Sequence, residues 1–250
     1  MRYFSNKPYR LISHFKTPEA IMDSSFSEIT KYGISKEIYN EIHSTRSLHK
    51  AIKIIDLCVD QNITILPVYD PKYPLDFYKI NPTPANLFYK GDISLLNAPK
   101  ITIVGSRKTN KGGQDWAFKL AEDLSNEGFV IVSGGAVGVD AAAHKGALNG
   151  SGKTIIIFGN GLRYRLLYRN RLLAALSPAS VIVSSDIHGG ALVQIHYAKK
   201  YGKQIFYPKE SFYPSAGVDN LKNSNFGYAI SGKKDLLDKL STIKQKILAE

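Results

Sequence analysis

Apolar side chains recur every three or four residues through the first part of the chain, the spacing of amphipathic helices. The pattern runs from about residue 8 to 61 and contains no long strand signal. Thr17-Pro18-Glu19 and Ser35-Lys36-Glu37 are typical helix starts, because a hydroxyl caps the first turn and proline fits its first position. The sequence therefore predicts a small helical module over residues 1–66.

Residues 67–99 interrupt this pattern with proline and tyrosine, as in Tyr69-Asp70-Pro71 and Asn81-Pro82-Thr83-Pro84. Proline breaks helices and central strands, whereas repeated aromatic residues are unusual in a disordered segment. We expect a packed linker or extension here.

From residue 100 a new pattern begins, in which short apolar runs end at small residues and helical periodicity follows. Near-continuous apolar strands that alternate with helices indicate a parallel sheet covered on both faces. We expect an α/β fold, an extended Rossmann-like doubly wound sheet over 100–234, followed by a C-terminal helix over 235–250. The predicted strands are 101–104, 129–132, 154–158, 180–183 and 204–207, and the predicted helices are 114–127, 139–148, 170–176 and 189–201.

Composition adds a strong positive charge, because 33 Lys and Arg against 21 Asp and Glu give a net charge of +12. This favours a polyanionic partner, nucleic acid or an anionic membrane surface, although a lysine-rich composition alone would also explain it. No apolar stretch reaches the roughly 18–20 residues of a membrane span, and the N-terminus does not resemble a signal peptide. The single cysteine, Cys58, excludes an internal disulfide. We therefore expect a cytoplasmic protein that does not bind membranes.

Several of the predicted strands end in glycine, serine or arginine and lead into a helix. Ligands bind at the carboxyl ends of such strands, where helix N-termini offer unpaired amides to anions. Arg107 and Lys108 stand where a nicotinamide-cofactor loop keeps glycine, so the pattern favours phosphate binding and no cofactor. The glycines alone would also fit ordinary turns. The candidate residues are Gly105, Ser106, Arg107, Lys108, Ser133, Gly134, Gly135, Gly189 and Gly190.

Four arginines lie between residues 163 and 171, interleaved with Tyr164 and Tyr168 and with no acidic residue among them. Guanidinium groups bind phosphates bidentately, and tyrosine rings stack on nucleobases. The usual alternative is that such a charge run is a solvated helix face held by ion pairs. This run contains no carboxylates, so ion pairs within it cannot account for its arginines. We expect these arginines to bind phosphates: Arg163, Arg165, Arg169 and Arg171.

Catalytic motifs are missing from the sequence, which has no His-Glu-x-x-His, no Gly-x-Ser-x-Gly and no Walker lysine. Asp140 and His144 have the i, i+4 spacing of a helix-stabilising hydrogen bond, which we favour over a catalytic dyad. His188 and His196 have no matching carboxylate cluster. We expect neither an enzyme nor a metal site.

Three motifs occur together in this half of the chain: Val104-Gly105-Ser106-Arg107, Ser133 to Asp140, and Arg169-Asn170-Arg171. Their order and spacing resemble the VGSR, SGxAxGID and RNR elements of the DprA/Smf (DNA processing protein A) family. Weaker matches, such as Tyr73-Pro74-Leu75, extend the resemblance to roughly residues 8–230.

This resemblance implies a sterile-alpha-motif-like N-terminal module and an extended Rossmann domain that binds single-stranded DNA in a basic pocket. It also implies a homodimer and the RecA recombinase as a partner, which the family helps to load during natural transformation in competent cells. Arg107 would contact phosphate, the amides of the VGSR and SGG glycines and of Ser106 would line the pocket, and Arg169-Asn170-Arg171 would close its rim.

The sequence departs from the family pattern between Gly161-Leu162 and Asn170, where a segment long enough for a strand and a helix is missing. Val183-Ser184-Ser185 replaces Val-Glu-Ala, and Gly189-Gly190-Ala191-Leu192 replaces Ser-Gly-Ser-Leu. We expect DNA binding to survive these changes better than RecA loading or dimerisation.

Two other functions stay open at this point. Related Rossmann proteins hydrolyse nucleotide N-glycosidic bonds, but this chain lacks their Pro-Gly-Gly-x-Gly-Thr loop with its nearby glutamate. The chain would also suit a degenerate DprA paralogue that serves as a sensor or interaction module, in defence or on a mobile element.

Overall fold

The computed structural model describes residues 7–150, 152–158, 167–224 and 226–249. The chain divides into two compact units, residues 1–93 and residues 94–250. Among the helices of the described segments, none has both the length and the apolar character that crossing a membrane requires.

The first unit begins with helices, as the sequence predicts. Hydroxyl side chains cap four of them, and Ser25 with Glu28 forms a reciprocal capping box. Leu11, Ile29 and Ile34 form the buried centre of this helical region. The helices are α1 (Lys7–Phe15), α2 (Pro18–Met22), α3 (Phe26–Ile29), α4 (Lys36–Ile42) and α5 (Thr45–Asp60).

The helices of the first unit are followed by an antiparallel strand pair, β1 (Thr64–Pro67) and β2 (Asn86–Tyr89). The connection between them is well packed, since Tyr73 is buried and its hydroxyl donates to Pro84 O at 2.7 Å. The sequence analysis describes this region only as a packed linker. Two four-residue strands so far apart in the chain leave no alternating pattern long enough to recognise.

The second unit contains a six-stranded parallel sheet, which confirms the predicted α/β fold. The strand order is β5-β4-β3-β6-β7-β8, the order of Rossmann folds. The strands are β3 (Lys100–Val104), β4 (Val130–Gly134), β5 (Thr154–Ile157), β6 (Ala179–Ile182), β7 (Gln204–Pro208) and β8 (Tyr228–Ile230). The helices are α6 (Lys111–Asn126), α7 (Val139–Asn149), α8 (Leu167–Leu176), α9 (Gly190–Lys200), α10 (Ala216–Asn223) and α11 (Lys233–Ala249).

Helices cover both faces of this sheet. Side chains alternate along each strand, so every strand presents side chains to the helices on either face. Ile101 and Ile103 belong to a buried cluster with Leu124 of α6 and Ala143 of α7. On the opposite face, the Thr102 hydroxyl lies 3.2 Å from Leu173 O of α8. The continuous apolar strands seen in the sequence are therefore strands buried on both sides.

The N-terminus of α6 differs from the prediction, since the helix begins at Lys111 instead of residue 114. Asn110 caps it by accepting a hydrogen bond from Gly113 N at 3.0 Å. Gly112 and Gly113 disfavour a helix in isolation, which hides this turn from the sequence pattern. A Cβ at Gly113 would lie 3.0 Å from Phe212 Cβ, so packing explains the glycine.

Candidate functional site

A crevice of about 400 Å³ lies at the carboxyl ends of β3 and β6. These strands are neighbours, but the chain continues from β3 to β4 on one side and from β6 to β7 on the other. The loops that follow them therefore diverge and leave an opening, the usual ligand position in open α/β sheets. The crevice is lined by Gly105, Ser106, Arg107, Lys108, Ala136, Asp140, Arg169, Asn170, Asp186, His188, Gly189 and Gly190, among others.

The loop after β3 is fixed by its own backbone. Ser106 N donates to Ser184 O beyond β6 at 2.9 Å, and Lys108 N donates to Ser106 Oγ at 3.1 Å. A Cβ at Gly105 would lie 2.6 Å from Val139 Cγ2 and 3.0 Å from Ser184 O, so only glycine fits there. Because several loop amides are already engaged, the exposed side chains of Arg107 and Lys108 are the hydrogen-bond donors that this loop offers to a ligand.

Arg169 of α8 brings a second guanidinium group to the crevice. Its side chain is only 11% exposed, and Nη1 donates to Ile157 O at the end of β5 at 3.0 Å. The guanidinium lies over Gly134, because a Cβ there would come within 2.6 Å of Arg169 Cζ. Its buried Nε has no hydrogen-bond partner among the described residues. Arg169 is thus a cation held in a fixed position at the wall of the crevice.

The charge of Arg169 is only partly balanced. Burial lowers the pKa of Arg169, Asp140 raises it, and Arg107 lowers it further by repulsion. Asp140 Oδ2 lies 3.9 Å from Arg169 Nη1 and accepts a hydrogen bond from Ala136 N at 3.4 Å. Burial raises the pKa of the Asp140 carboxyl, against the effects of Arg169 and the neighbouring amides. Three cations, Arg107, Lys108 and Arg169, line the crevice, against two carboxylates, Asp140 and the exposed Asp186. The cations therefore outnumber the acids.

Two helices also point their N-termini toward the crevice. Helix α9 begins at Gly190 and α7 at Val139, and the residues before them, Gly189 and Gly138, supply no side-chain cap. Asn170 Nδ2 donates to Gly190 O at 2.7 Å and so ties α8 to the start of α9. Uncapped first turns and cationic side chains together attract an anion with several negative charges.

Comparisons with known proteins agree with this architecture. The family model described as DNA recombination-mediator protein A matches residues 64–166 and 162–241. The chain belongs to this family. The DNA processing protein DprA of Streptococcus pneumoniae is 30% identical over 222 residues, 76% of this chain and 75% of the relative. Protein Smf of Synechocystis is 27% identical over 236 residues, 79% of this chain but 59% of the relative.

Solved structures of DprA proteins share the fold. The Streptococcus pneumoniae protein superposes with a TM-score of 0.74 at 24% identity and covers 94% of this chain and 93% of its own. DNA processing protein A from Helicobacter pylori, described for its single-stranded DNA binding mode, has a TM-score of 0.63 at 26% identity. The match covers 72% of this chain and 96% of the Helicobacter pylori chain.

The two matched segments of the DprA model overlap at residues 162–166. This is where the sequence analysis expects family residues to be missing. Arg163, Arg165 and Tyr164 lie outside the described residues, as does the side chain of Tyr168.

The motifs of the DprA family take different places around the crevice. Gly105 to Lys108, Arg169, Asn170, Gly189 and Gly190 line it. Ser133 is fully buried and donates to Ile103 O at 2.6 Å, and Gly134 makes room for Arg169. A Cβ at Gly135 would lie 2.6 Å from the Phe158 ring. Ser133, Gly134 and Gly135 therefore do not line the crevice, and of the three Gly134 lies against a crevice residue, Arg169.

Arg171 is buried and does not line the crevice. Residues two positions apart on a helix point in nearly opposite directions, so Arg169 and Arg171 cannot face the same site. The charge of Arg171 instead acts on Tyr201 of α9, whose pKa is raised by burial and lowered by this arginine.

His144 and Asp140 have separate partners instead of a hydrogen bond to each other. The ring nitrogens of His144 lie 2.6 Å from Thr154 Oγ1 and 2.9 Å from Gly134 O. The role of Asp140 as the counter-charge of Arg169 was not predicted from the sequence. Its position in the SGxAxGID-like motif was the available signal, but its partner comes from a different motif.

Proposed function

We propose that this chain binds single-stranded DNA by its phosphates in the crevice and acts as a non-catalytic mediator of DNA recombination. One observation carries the proposal: Arg107, after β3, and Arg169, on α8, line the same crevice. Two guanidinium groups at one opening suit a ligand with several negative charges, and a phosphodiester chain is such a ligand. The single-stranded DNA binding described for the Helicobacter pylori relative supports the same ligand.

The distribution of charge along the chain supports a polyanionic ligand at this part of the molecule. Residues 141–209 contain ten Lys and Arg residues and one carboxylate, Asp186, and so carry +9 of the net charge of +12. This segment includes α8, α9 and the loop between β6 and α9, which lines the crevice. It also contributes Arg169 to the crevice, and its near lack of acidic residues favours a polyanionic ligand.

The size of the crevice suits a short part of a nucleic-acid strand. A volume of about 400 Å³ lies within the range of ligand pockets, roughly 300–1,000 Å³. Binding through phosphates makes little use of base identity, so we propose little sequence preference.

Further parts of the proposed function rest on the family relation. We propose that the chain forms a homodimer, acts in the cytoplasm and delivers the bound strand to RecA during natural transformation. We propose no catalytic step, because the family is described as a recombination mediator and the buried carboxylate Asp140 is committed to Arg169.

A salt titration of DNA binding tests this proposal. Binding of fluorescein-labelled oligo-dT and of a matched duplex would be followed by anisotropy between about 50 and 200 mM salt. Arg107→Ala should raise the Kd for oligo-dT about tenfold or more and lower the slope of log K against log salt by about one. The control is Lys145→Ala, which removes one exposed charge on α7 outside the crevice.

The proposal requires tighter binding of oligo-dT than of duplex and a larger effect of Arg107→Ala than of Lys145→Ala. Equal effects of the two variants would show that the crevice is not the binding site. Tighter binding of the duplex would contradict the single-strand preference.

A further inference from the structure

A basic and aromatic surface on α9 lies outside the crevice. It consists of His196, Tyr197, Lys199, Lys200 and Tyr201, which we call the α9 face. His196, Lys199 and Lys200 are exposed, and the two tyrosines are partly exposed. None of the five lines the crevice.

The aromatic part of the α9 face is already arranged as a stack. The rings of Tyr197 and Tyr201 lie 5.9 Å apart between centroids with an interplanar angle of 19°. The His196 ring meets Tyr197 edge-on at 5.4 Å. Stacked aromatic side chains are the usual platform for bases of single-stranded nucleic acid, because every base has a flat π-face.

The charged part of the α9 face has no nearby carboxylate along the chain. Residues 187–209 contain no Asp or Glu, and Lys199 Nζ lies 5.2 Å from the centroid of the Phe226 ring. An aromatic ring supplies no negative counter-charge to the cation over it, in contrast to an acid paired with a lysine. The α9 face therefore offers positive charge beside aromatic rings, the combination found in single-strand binding grooves.

The α9 face is continuous with the crevice through the helix itself. Gly190 is both the first residue of α9 and part of the crevice wall. Tyr197 lies seven residues further, about 10 Å along the axis, and Tyr201 about 16 Å, at 1.5 Å per residue. A strand leaving the crevice along α9 reaches this face within a few nucleotides.

We propose that the α9 face is a second contact for the same single strand, with bases stacking at Tyr197–Tyr201. Phosphates would lie near Lys200, which is beside these rings, and near Lys199 on the adjoining side of the helix. This inference rests on the proposed function and extends it by a second subsite. A second copy of the chain is a poorer occupant, because a two-fold interface on this face would bring the lysines of both copies together.

Two oligo-dT lengths separate this inference from the proposed function. The short one is the minimal length that binds the wild type, and the long one is extended by several nucleotides. The main variant is Lys199→Ala/Lys200→Ala. Its matched control is Lys145→Ala/Lys153→Ala, two exposed lysines of the same charged segment. Tyr197→Leu removes the stacking ring and keeps an apolar side chain, with thermal unfolding as the check on folding.

We expect the wild type to bind the long oligo-dT more tightly than the short one. For the long oligo-dT, Lys199→Ala/Lys200→Ala should raise the Kd about five- to tenfold and lower the salt slope by about 1.4, since each phosphate contact on a single strand contributes about 0.7. Tyr197→Leu should raise the same Kd roughly fivefold or more. The Kd for the short oligo-dT should stay unchanged in both variants.

The inference is overturned if length adds no affinity, or if the α9 variant and its lysine control behave alike on the long oligo-dT. It is also overturned if the α9 variant only changes the oligomeric state in sedimentation velocity, which would make a second copy the occupant. If neither length binds the wild type, the proposed function itself fails.

Discussion

Gly134→Ala tests the position of Arg169 without removing a charge. The added Cβ would lie 2.6 Å from Arg169 Cζ and closer still to Nη1, whereas ordinary contacts begin near 3.4 Å. The guanidinium must move away, and the hydrogen bond from Nη1 to Ile157 O, now 3.0 Å, breaks. A hydrogen bond to a charged group contributes about 1.5–3 kcal/mol. We therefore expect the melting temperature to fall by roughly 3–12 °C for a unit of this size.

The same displacement should weaken DNA binding. If Arg169 contacts phosphate, loss of one charge-assisted contact of about 1.5–3 kcal/mol raises the Kd for oligo-dT roughly ten- to hundredfold. The control is Gly112→Ala on α6, where a Cβ would meet the Phe212 ring at an ordinary 3.5 Å. Anisotropy at a temperature well below both transitions measures the effect. A folded Gly134→Ala protein with the Kd and salt slope of the wild type would refute the role of Arg169.

Two further substitutions test the support of the crevice. Burial lowers the pKa of His144 below 6.5, so the folded state favours the neutral imidazole ring. The neutral ring therefore contributes stability to the folded protein above pH 6.5. This contribution is lost as the pH falls through the lowered pKa. Thermal unfolding between pH 5 and 7.5 should therefore depend less on pH in His144→Gln than in the wild type; equal dependence contradicts this. Gly105→Ala should destabilise the protein by about 1–3 kcal/mol through overpacking against Val139, and a urea midpoint like that of the wild type would show that the loop can adjust.

The parallel sheet was predictable because its strands are buried on both faces. Ile101 to Val104 and Val130 to Val132 are apolar runs bounded by turns, a local property of the chain. The three-residue strand β8 lies below the length at which such a run is distinguishable from a loop. The start of α6 was hidden because glycine is required at position 113 by close contacts with Thr109 and with Phe212, which is about a hundred residues away.

The candidate site was predictable in its location but not in its contacts. The topology of a doubly wound sheet brings the ends of β3 and β6 together, so the position of Arg107 follows from the strand pattern. Helix geometry sets Arg169 and Arg171 in opposite directions, but which of them faces the crevice depends on where α8 packs. The pairing of Asp140 with Arg169 joins residues of separate motifs. The hydrogen bond that Ser106 N donates to Ser184 O joins separate loops. Such contacts are set by tertiary packing, which a single sequence does not display.

A crystal structure of this chain with a bound oligo-dT is the most direct test of the central claim. We predict a backbone phosphate within hydrogen-bond distance of both Arg107 and Arg169, at the carboxyl ends of β3 and β6. A strand ordered elsewhere on the molecule, with neither arginine touching a phosphate, would contradict the account.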